Sequence, residues 1–369
     1  MFLNKNIIVG FEHHVFTKLY IDVLIRKCSI REEDIILISL SESVQGTHLK
    51  GTNVKLLNYF TVDLAALSSC KTITAISIGL SNAPFLKSLL ERSDEFIDKL
   101  YIHLTDDEVA RWLKTIEKHG SLVPTRNNQI NEDCLFVLSK VTNFIAPEPY
   151  FRPSLKTILK RKDLNFYDAR DAFKSMPSEL WDEFEAMQSK YVEENRPEKK
   201  ILIGAKVDTF SVLEILSVIY HLGMSGVLNQ HKLLVFVKPK RVFFRIIVDA
   251  FLALFKIKCV VDISYVTPTN NINYNALIMS CSDIILQGRG SMSTARSFVS
   301  GGNGRIHVKD GSPNFIEMTE AEGISVSGYN TLAEIPQNFG KKPKAADKNR
   351  EIIKSRFLQK YQVLNKIYS

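Results

Sequence analysis

Cysteine is scarce and unpatterned in this 369-residue chain: five residues, at positions 28, 70, 134, 259 and 281, with no C-x-x-C pair. An odd number at such spacings excludes a disulfide framework and a zinc ribbon, and fits a reduced, cytoplasmic setting. Long apolar runs are also missing. The most apolar stretch, residues 247–261, is broken by Asp249, Lys256 and Lys258 well short of a membrane span. Met1 to Gly10 enters a strand-like run directly, without the apolar core and cleavage region of a signal peptide. The expectation is a cytoplasmic protein, soluble or peripheral at the inner face of the cell membrane. No solenoid-length repeat or low-complexity tract occurs. No His, Asp or Glu cluster has metal-ligand spacing, so no metal and no cofactor is expected. Basic residues are scattered without an aromatic-rich recognition motif, which argues against nucleic acid. The only two tryptophans, Trp112 and Trp181, read as packing residues.

What is present is a globular composition, 45% hydrophobic and 24% charged, in a chain long enough for two cores. The formal charge of +8 points to an anionic partner: nucleic acid, acidic lipid or a nucleotide-linked substrate. The first half alternates strand-like and helix-like segments: 6–10, 16–27, 35–40, 54–57, 64–69, 72–78 and 85–91, then a strand at 99–104. That alternation predicts an α/β unit with a mainly parallel sheet. Thr105 and Glu108 have capping-box spacing ahead of a helix through Trp112 and Ile116. Between Pro147 and Pro197 the pattern reads as charged helical segments, ending in the linker-like run 193–200. A second α/β unit begins at Ile201-Leu202-Ile203-Gly204. A helix near 211–221, a strand at 233–237, a helix near 241–255 and a strand at 259–263 follow. The organisation expected is an N-terminal α/β domain over 1–195, a second over 196–345, and a basic helix over 346–369 packing back across both.

The stretch from Cys281 to Glu317 carries the most chemistry. A buried strand, Ser282 to Gln287, runs into Gly288-Arg289-Gly290-Ser291-Met292-Ser293-Thr294, which opens a helix through Val299. Glycines let a ligand approach the backbone, small hydroxyl residues cap the helix while its amides point outward, and Arg289 adds a full positive charge. The natural guest is a phosphate, although glycines can also serve only to make a tight turn. A next strand at Arg305 to Val308 leads to a polar loop, Asp310 to Glu317, where Asn314 and Glu317 are placed to meet sugar or ribose hydroxyls. Lys206 and Lys238 follow two further strand ends of this unit and join Arg289, Ser291, Ser293 and Thr294 as candidate phosphate contacts.

Two α/β domains aiming their strand ends at a shared cleft are similar to the layout of GT-B glycosyltransferases. The ordered landmarks resemble, more narrowly, the bacterial 4-acetamido-4,6-dideoxygalactose transferases of enterobacterial common antigen synthesis. They are Val9-Gly10 with His13-His14, Ile102-His103 with Asp106-Asp107, Lys200 to Gly204, Tyr274 to Asp283 with the glycine turn, Gly301-Gly302, and Asn314-Phe315 with Met318-Thr319-Glu320. The tip Gly288 to Thr294 departs from that family, so the donor sugar does not carry over. The resemblance implies a metal-independent glycosyltransferase with a nucleotide-sugar donor and a glycan or lipid-linked acceptor, peripheral to an anionic membrane. In such a site helix N-termini and basic side chains stabilise the leaving diphosphate. An inverting enzyme also needs a base for the acceptor hydroxyl, and the strand ends nominate Asp107, then His13, then Asp106. The run Lys160-Arg161-Lys162 is a candidate lipid contact. The alternative is a catalytically silent binding protein of the same fold.

Overall fold

The structure, a computed structural model, describes residues 1–42, 49, 51–104, 106–125, 128–169, 199–205, 209–236, 241–264, 274, 277–278, 280–300, 304–339 and 346–369. The chain divides into two compact units, Met1–Ser178 with Phe357–Ser369, and Glu179–Arg356. The expected boundary at 195/196 lies outside the described residues.

The first unit is built on seven parallel strands: β1 (Asn6–Gly10), β2 (Ile35–Ser39), β3 (Lys55–Asn58), β4 (Thr72–Ile76), β5 (Leu100–His103), β6 (Asn143–Ile145) and β7 (Asn165–Tyr167). Their order is β3-β2-β1-β4-β5-β6-β7, and every pairing is parallel. Parallel strands need crossover helices on both faces, so the central strands are apolar on both sides. In β1 this is visible residue by residue. Ile7 and Val9 point into one core with Leu86, Leu89 and Trp112, while Ile8 points into the other with Tyr20, Leu24 and Leu364.

That second core is closed by the end of the last helix, Ala346–Tyr368. The Tyr368 hydroxyl is shared with Tyr20 (2.8 Å) and Thr74 (2.6 Å), and Asn6 donates its amide to the Tyr368 carbonyl at 2.8 Å. Burial pushes the Tyr20 hydroxyl well above its ordinary pKa, helped by its neighbour Tyr368, so the network is neutral.

The second unit carries six parallel strands: β8 (Lys200–Ile203), β9 (Lys232–Phe236), β10 (Val261–Ser264), β11 (Asp283–Ile285), β12 (Arg305–Lys309) and β13 (Ser327–Tyr329). They are ordered β10-β9-β8-β11-β12-β13. Successive crossovers from β8 move outward in one direction, and those from β11 move in the other. The point of reversal lies between β8 and β11, where open α/β sheets bind ligands at their carboxyl ends. The first sheet reverses likewise between β1 and β4.

Three short strands differ from the sequence reading. β6 and β13 are three-residue strands that show too little periodicity to register. β7 lies where only helical segments were expected, because Asn165-Phe166-Tyr167 follows a basic run at the end of the helix Glu148–Leu159.

Removing the Tyr368 ring should open the core beneath it. Tyr368→Ala is expected to destabilise the chain by roughly 3–5 kcal/mol and Tyr368→Phe by only about 1 kcal/mol. Urea unfolding monitored by circular dichroism checks the difference.

Candidate functional site

At the reversal point of the second sheet two glycine turns meet. After β8, Gly204 adopts a positive φ of 71°, and a Cβ there would lie 2.1 Å from Thr209 Oγ1, so only glycine fits. Its N–H bonds to the Ile285 carbonyl at 2.8 Å, which holds the ends of β8 and β11 together.

After β11 the chain runs through Gly288, Arg289, Gly290 and Ser291 into the helix Met292–Ser300. The helix therefore begins at the end of the glycine-rich turn rather than within it. Gly290 (φ 83°) and Ser291 (φ 64°) are both left-handed. The glycine adopts this freely; for serine it is a strained conformation that the surroundings must enforce.

The enforcement is specific. Gln287 Nε2 donates to Ser291 Oγ at 2.7 Å and to the Gly290 carbonyl at 3.3 Å. Asn314 Nδ2 donates to the Gln287 carbonyl (2.6 Å) and the Gly290 carbonyl (2.9 Å), and its backbone N–H donates to Gly288 (2.9 Å). Gly288 lies against Ser312, where a Cβ would come within 3.3 Å.

The Tyr274 hydroxyl donates to the Ala205 carbonyl and shares a 3.0 Å bond with Thr294 Oγ1, joining the two turns across the reversal point. The carbonyls of the turn are thus committed inward. The first intrahelical bond is from Ala295 N–H to the Ser291 carbonyl at 3.2 Å, so the amides of Met292, Ser293 and Thr294 precede the helical ladder. With half-buried Arg289 alongside, they carry the partial positive charge of a helix N-terminus.

Behind this end, Arg296 is buried between two carboxylates. It donates to Glu317 at 3.0 Å and through Nε to Glu322 at 3.0 Å. Glu317 and Arg296 are only 1% and 2% exposed. The ribose-contact role expected for Asn314 and Glu317 is therefore corrected: both side chains are interior and hold the turn and its helix in place. Lys206 and Lys238 lie outside the described residues.

In the first unit, the expected base candidates sit at the carboxyl edge of the sheet. His13 is exposed in the loop after β1, 5.4 Å from the Phe11 ring, and its neighbour His14 caps the helix Val15–Arg26 by accepting from Phe16 N–H at 3.3 Å. Asp106 and Asp107 open the helix Asp106–His119 after β5, with their side chains outside the described set. β4 lies between β1 and β5, so the two loops are separated by two strand spacings, about 10 Å.

Two buried carboxylates at this edge have partners that the sequence did not reveal. Glu12 accepts from Ser39 and from Ser41 (2.7 Å). Burial works to raise its pKa, but those hydroxyls, its backbone and nearby His13 hold it below the ordinary carboxylate value. Glu108, expected in a capping box, accepts from Ser77 and from the Ile78 N–H at 3.2 Å. Each was one residue away from a nominated side chain, and only its long-range partner distinguishes it.

Burial pushes Cys28 and Cys281 up to about 12 and Cys70 to about 11. Arg161, from the run considered as a lipid contact, pairs with Asp163 and donates to the carbonyls of Leu138, Ser139 and Val141 at the end of the helix Glu132–Lys140. Among the described residues, no group of three His, Cys, Asp or Glu side chains could hold a metal ion, and no helix is long and apolar enough to cross a membrane.

No protein-family model matches the chain, and no curated protein matches its sequence. Solved structures do match, over nearly the full length. A glycosyltransferase from Rickettsia africae is 12% identical with a TM-score of 0.56, covering 99% of this chain and 98% of that one. Anabaena HepE in complex with UDP is 10% identical with a TM-score of 0.59, covering 98% of each chain. An α,α-trehalose 6-phosphate synthase from Burkholderia multivorans is 9% identical with a TM-score of 0.54, covering 99% and 96%. The chain has the GT-B fold of two Rossmann-like domains.

One further cluster marks the second unit. His307 is fully buried, with Nε2 2.9 Å from Asp283 Oδ1 and its ring stacked on Phe339 at 4.9 Å. Burial lowers its pKa more than the Asp283 bond raises it. The folded chain thus binds fewer protons at this ring than the unfolded chain does. Its contribution is present above the unfolded value of about 6.5 and falls away as pH drops below that value. Urea midpoints should decline from pH 7 toward pH 5, and His307→Gln should flatten that slope.

Proposed function

We propose that this protein is a glycosyltransferase that moves a sugar from a nucleoside diphosphate sugar to a hydroxyl of a glycan or lipid-linked acceptor. The observation that carries the reading is the braced anion-binding end at Gly288–Thr294, located at the reversal point of a Rossmann-ordered sheet in a GT-B chain. HepE was solved with UDP and with UDP-glucose, which is the class of donor such an end would take. The narrower likeness to the 4-acetamido-4,6-dideoxygalactose transferases supports a bacterial envelope glycan as product.

In this mechanism the diphosphate meets the amides of Met292, Ser293 and Thr294, with Arg289, Lys206 and Lys238 supplying positive charge. Charge that develops on the leaving group as the glycosidic bond breaks is met by dipoles already oriented, so no reorganisation is required at that moment. If the reaction inverts, the acceptor proton passes to a base from the first unit's strand-end loops, with Asp107 ahead of His13 and Asp106. Asn314 and Glu317 act as positioning residues through the turn.

Incubation with UDP-, GDP- and dTDP-sugars, with mass-spectrometric detection of released nucleoside diphosphate, should find turnover with one donor class, and turnover should survive EDTA. Arg289→Ala should weaken nucleoside diphosphate binding roughly 10- to 100-fold, the loss of one charge-assisted contact. Asp107→Asn should leave that affinity intact and lower turnover about 10²- to 10⁴-fold. Nucleotide binding without turnover of any donor would instead make the chain a silent binding protein.

A further inference from the structure

The helix Arg241–Leu254, which connects β9 to β10, packs on the sheet through Phe244 and Val248 and leaves its other side uncovered. Val242, Phe243, Ile246 and Leu254 are 72%, 66%, 60% and 74% exposed. At 100° per residue they fall with Ala250 and Ala253 on one stripe about 120° wide. The stripe is bordered by Arg245, which holds Asp249 through two 3.0 Å contacts. That pair neutralises the helix's single acidic residue.

Contiguous apolar surface of this kind marks an interaction site. The chain around it says which kind. Between Lys238 and Lys258 the sequence carries six cationic residues, Lys238, Lys240, Arg241, Arg245, Lys256 and Lys258, against one acidic residue, Asp249. Beyond the helix, Phe255 and Val260 are also exposed, at 42% and 59%. At that end, where β8, β9 and β10 begin, an open pocket of about 660 Å³ is lined by Lys199, Lys232, Lys258 and His231 among others. An apolar helix face followed by exposed Lys256 and Lys258, with a lysine-rich pocket alongside, is complementary to one surface chemistry, acyl chains beneath anionic headgroups.

We propose that this face of the second unit docks onto an anionic lipid bilayer, with Val242, Phe243, Ile246 and Leu254 entering the interface and Lys256 and Lys258 meeting headgroup phosphates. The helix lies in the plane of the surface and does not span it. Docking is independent of the transferase reading, since it requires neither donor nor acceptor.

The test is co-sedimentation of the full chain with phosphatidylcholine vesicles made with and without phosphatidylglycerol. Binding is expected only to the anionic vesicles, and it should weaken with added salt. Phe243→Glu with Ile246→Glu, both on exposed positions, should abolish it with an unchanged circular dichroism spectrum. Lys256→Glu with Lys258→Glu should lower partitioning roughly tenfold or more. Failure of the native chain to bind anionic vesicles, or equal binding by the glutamate variants, would overturn the proposal. Self-association dispersed by the same variants, without lipid binding, would assign the face to a second copy of this chain.

Discussion

The second unit depends on keeping one backbone turn open. The segment after β11 contains a left-handed serine, which costs on the order of 1–3 kcal/mol. A turn left to itself would relax or satisfy its own amides. It stays open because Gln287, Asn314 and Tyr274 take up its carbonyls and hydroxyls, each bond contributing roughly 0.5–1.5 kcal/mol net. Together these bonds are sufficient to offset the strain. Arg296, clamped between Glu317 and Glu322, then prevents the helix behind the turn from shifting.

The first unit is organised on a parallel principle with different chemistry. Its strand-end loops are tied by buried carboxylates, Glu12 to Ser39 and Ser41, and Glu108 to Ser77 and Ile78. These leave exposed His13 on the loop after β1 and bring Asp106 and Asp107 to the start of the helix after β5. The second unit thus presents amide dipoles at its reversal point, and the first presents titratable groups at its own strand ends.

Much of this was legible in the sequence because parallel strands buried on both faces read as continuous apolar runs. Ile7-Ile8-Val9, Ile35-Ile36-Leu37-Ile38 and Ile201-Leu202-Ile203 leave little ambiguity, and glycine at 204, 288 and 290 marks the turns. Asn165–Tyr167 was missed because its apolar run is only Phe166 and Tyr167, whereas the equally short Asp283–Ile285 lies within the run Ile284-Ile285-Leu286. The roles of Asn314 and Glu317 were misread for a different reason. A polar residue in a loop reads as solvent- or ligand-facing, whereas these two are interior, and only their partners at 287, 290 and 296 reveal it. The exposed face of Arg241–Leu254 is the reverse case, an apolar side chain pattern whose uncovered half appears only once the packed half is known.

The central claim, that a nucleoside diphosphate occupies the end of the helix Met292–Ser300, is tested most directly by amide hydrogen exchange with and without UDP, GDP and dTDP. The account predicts that the nucleotide which binds slows exchange in peptides covering 286–300 and 203–205, at the two turns that meet across β8 and β11. A nucleotide that binds while leaving exchange in 286–300 unchanged would contradict it.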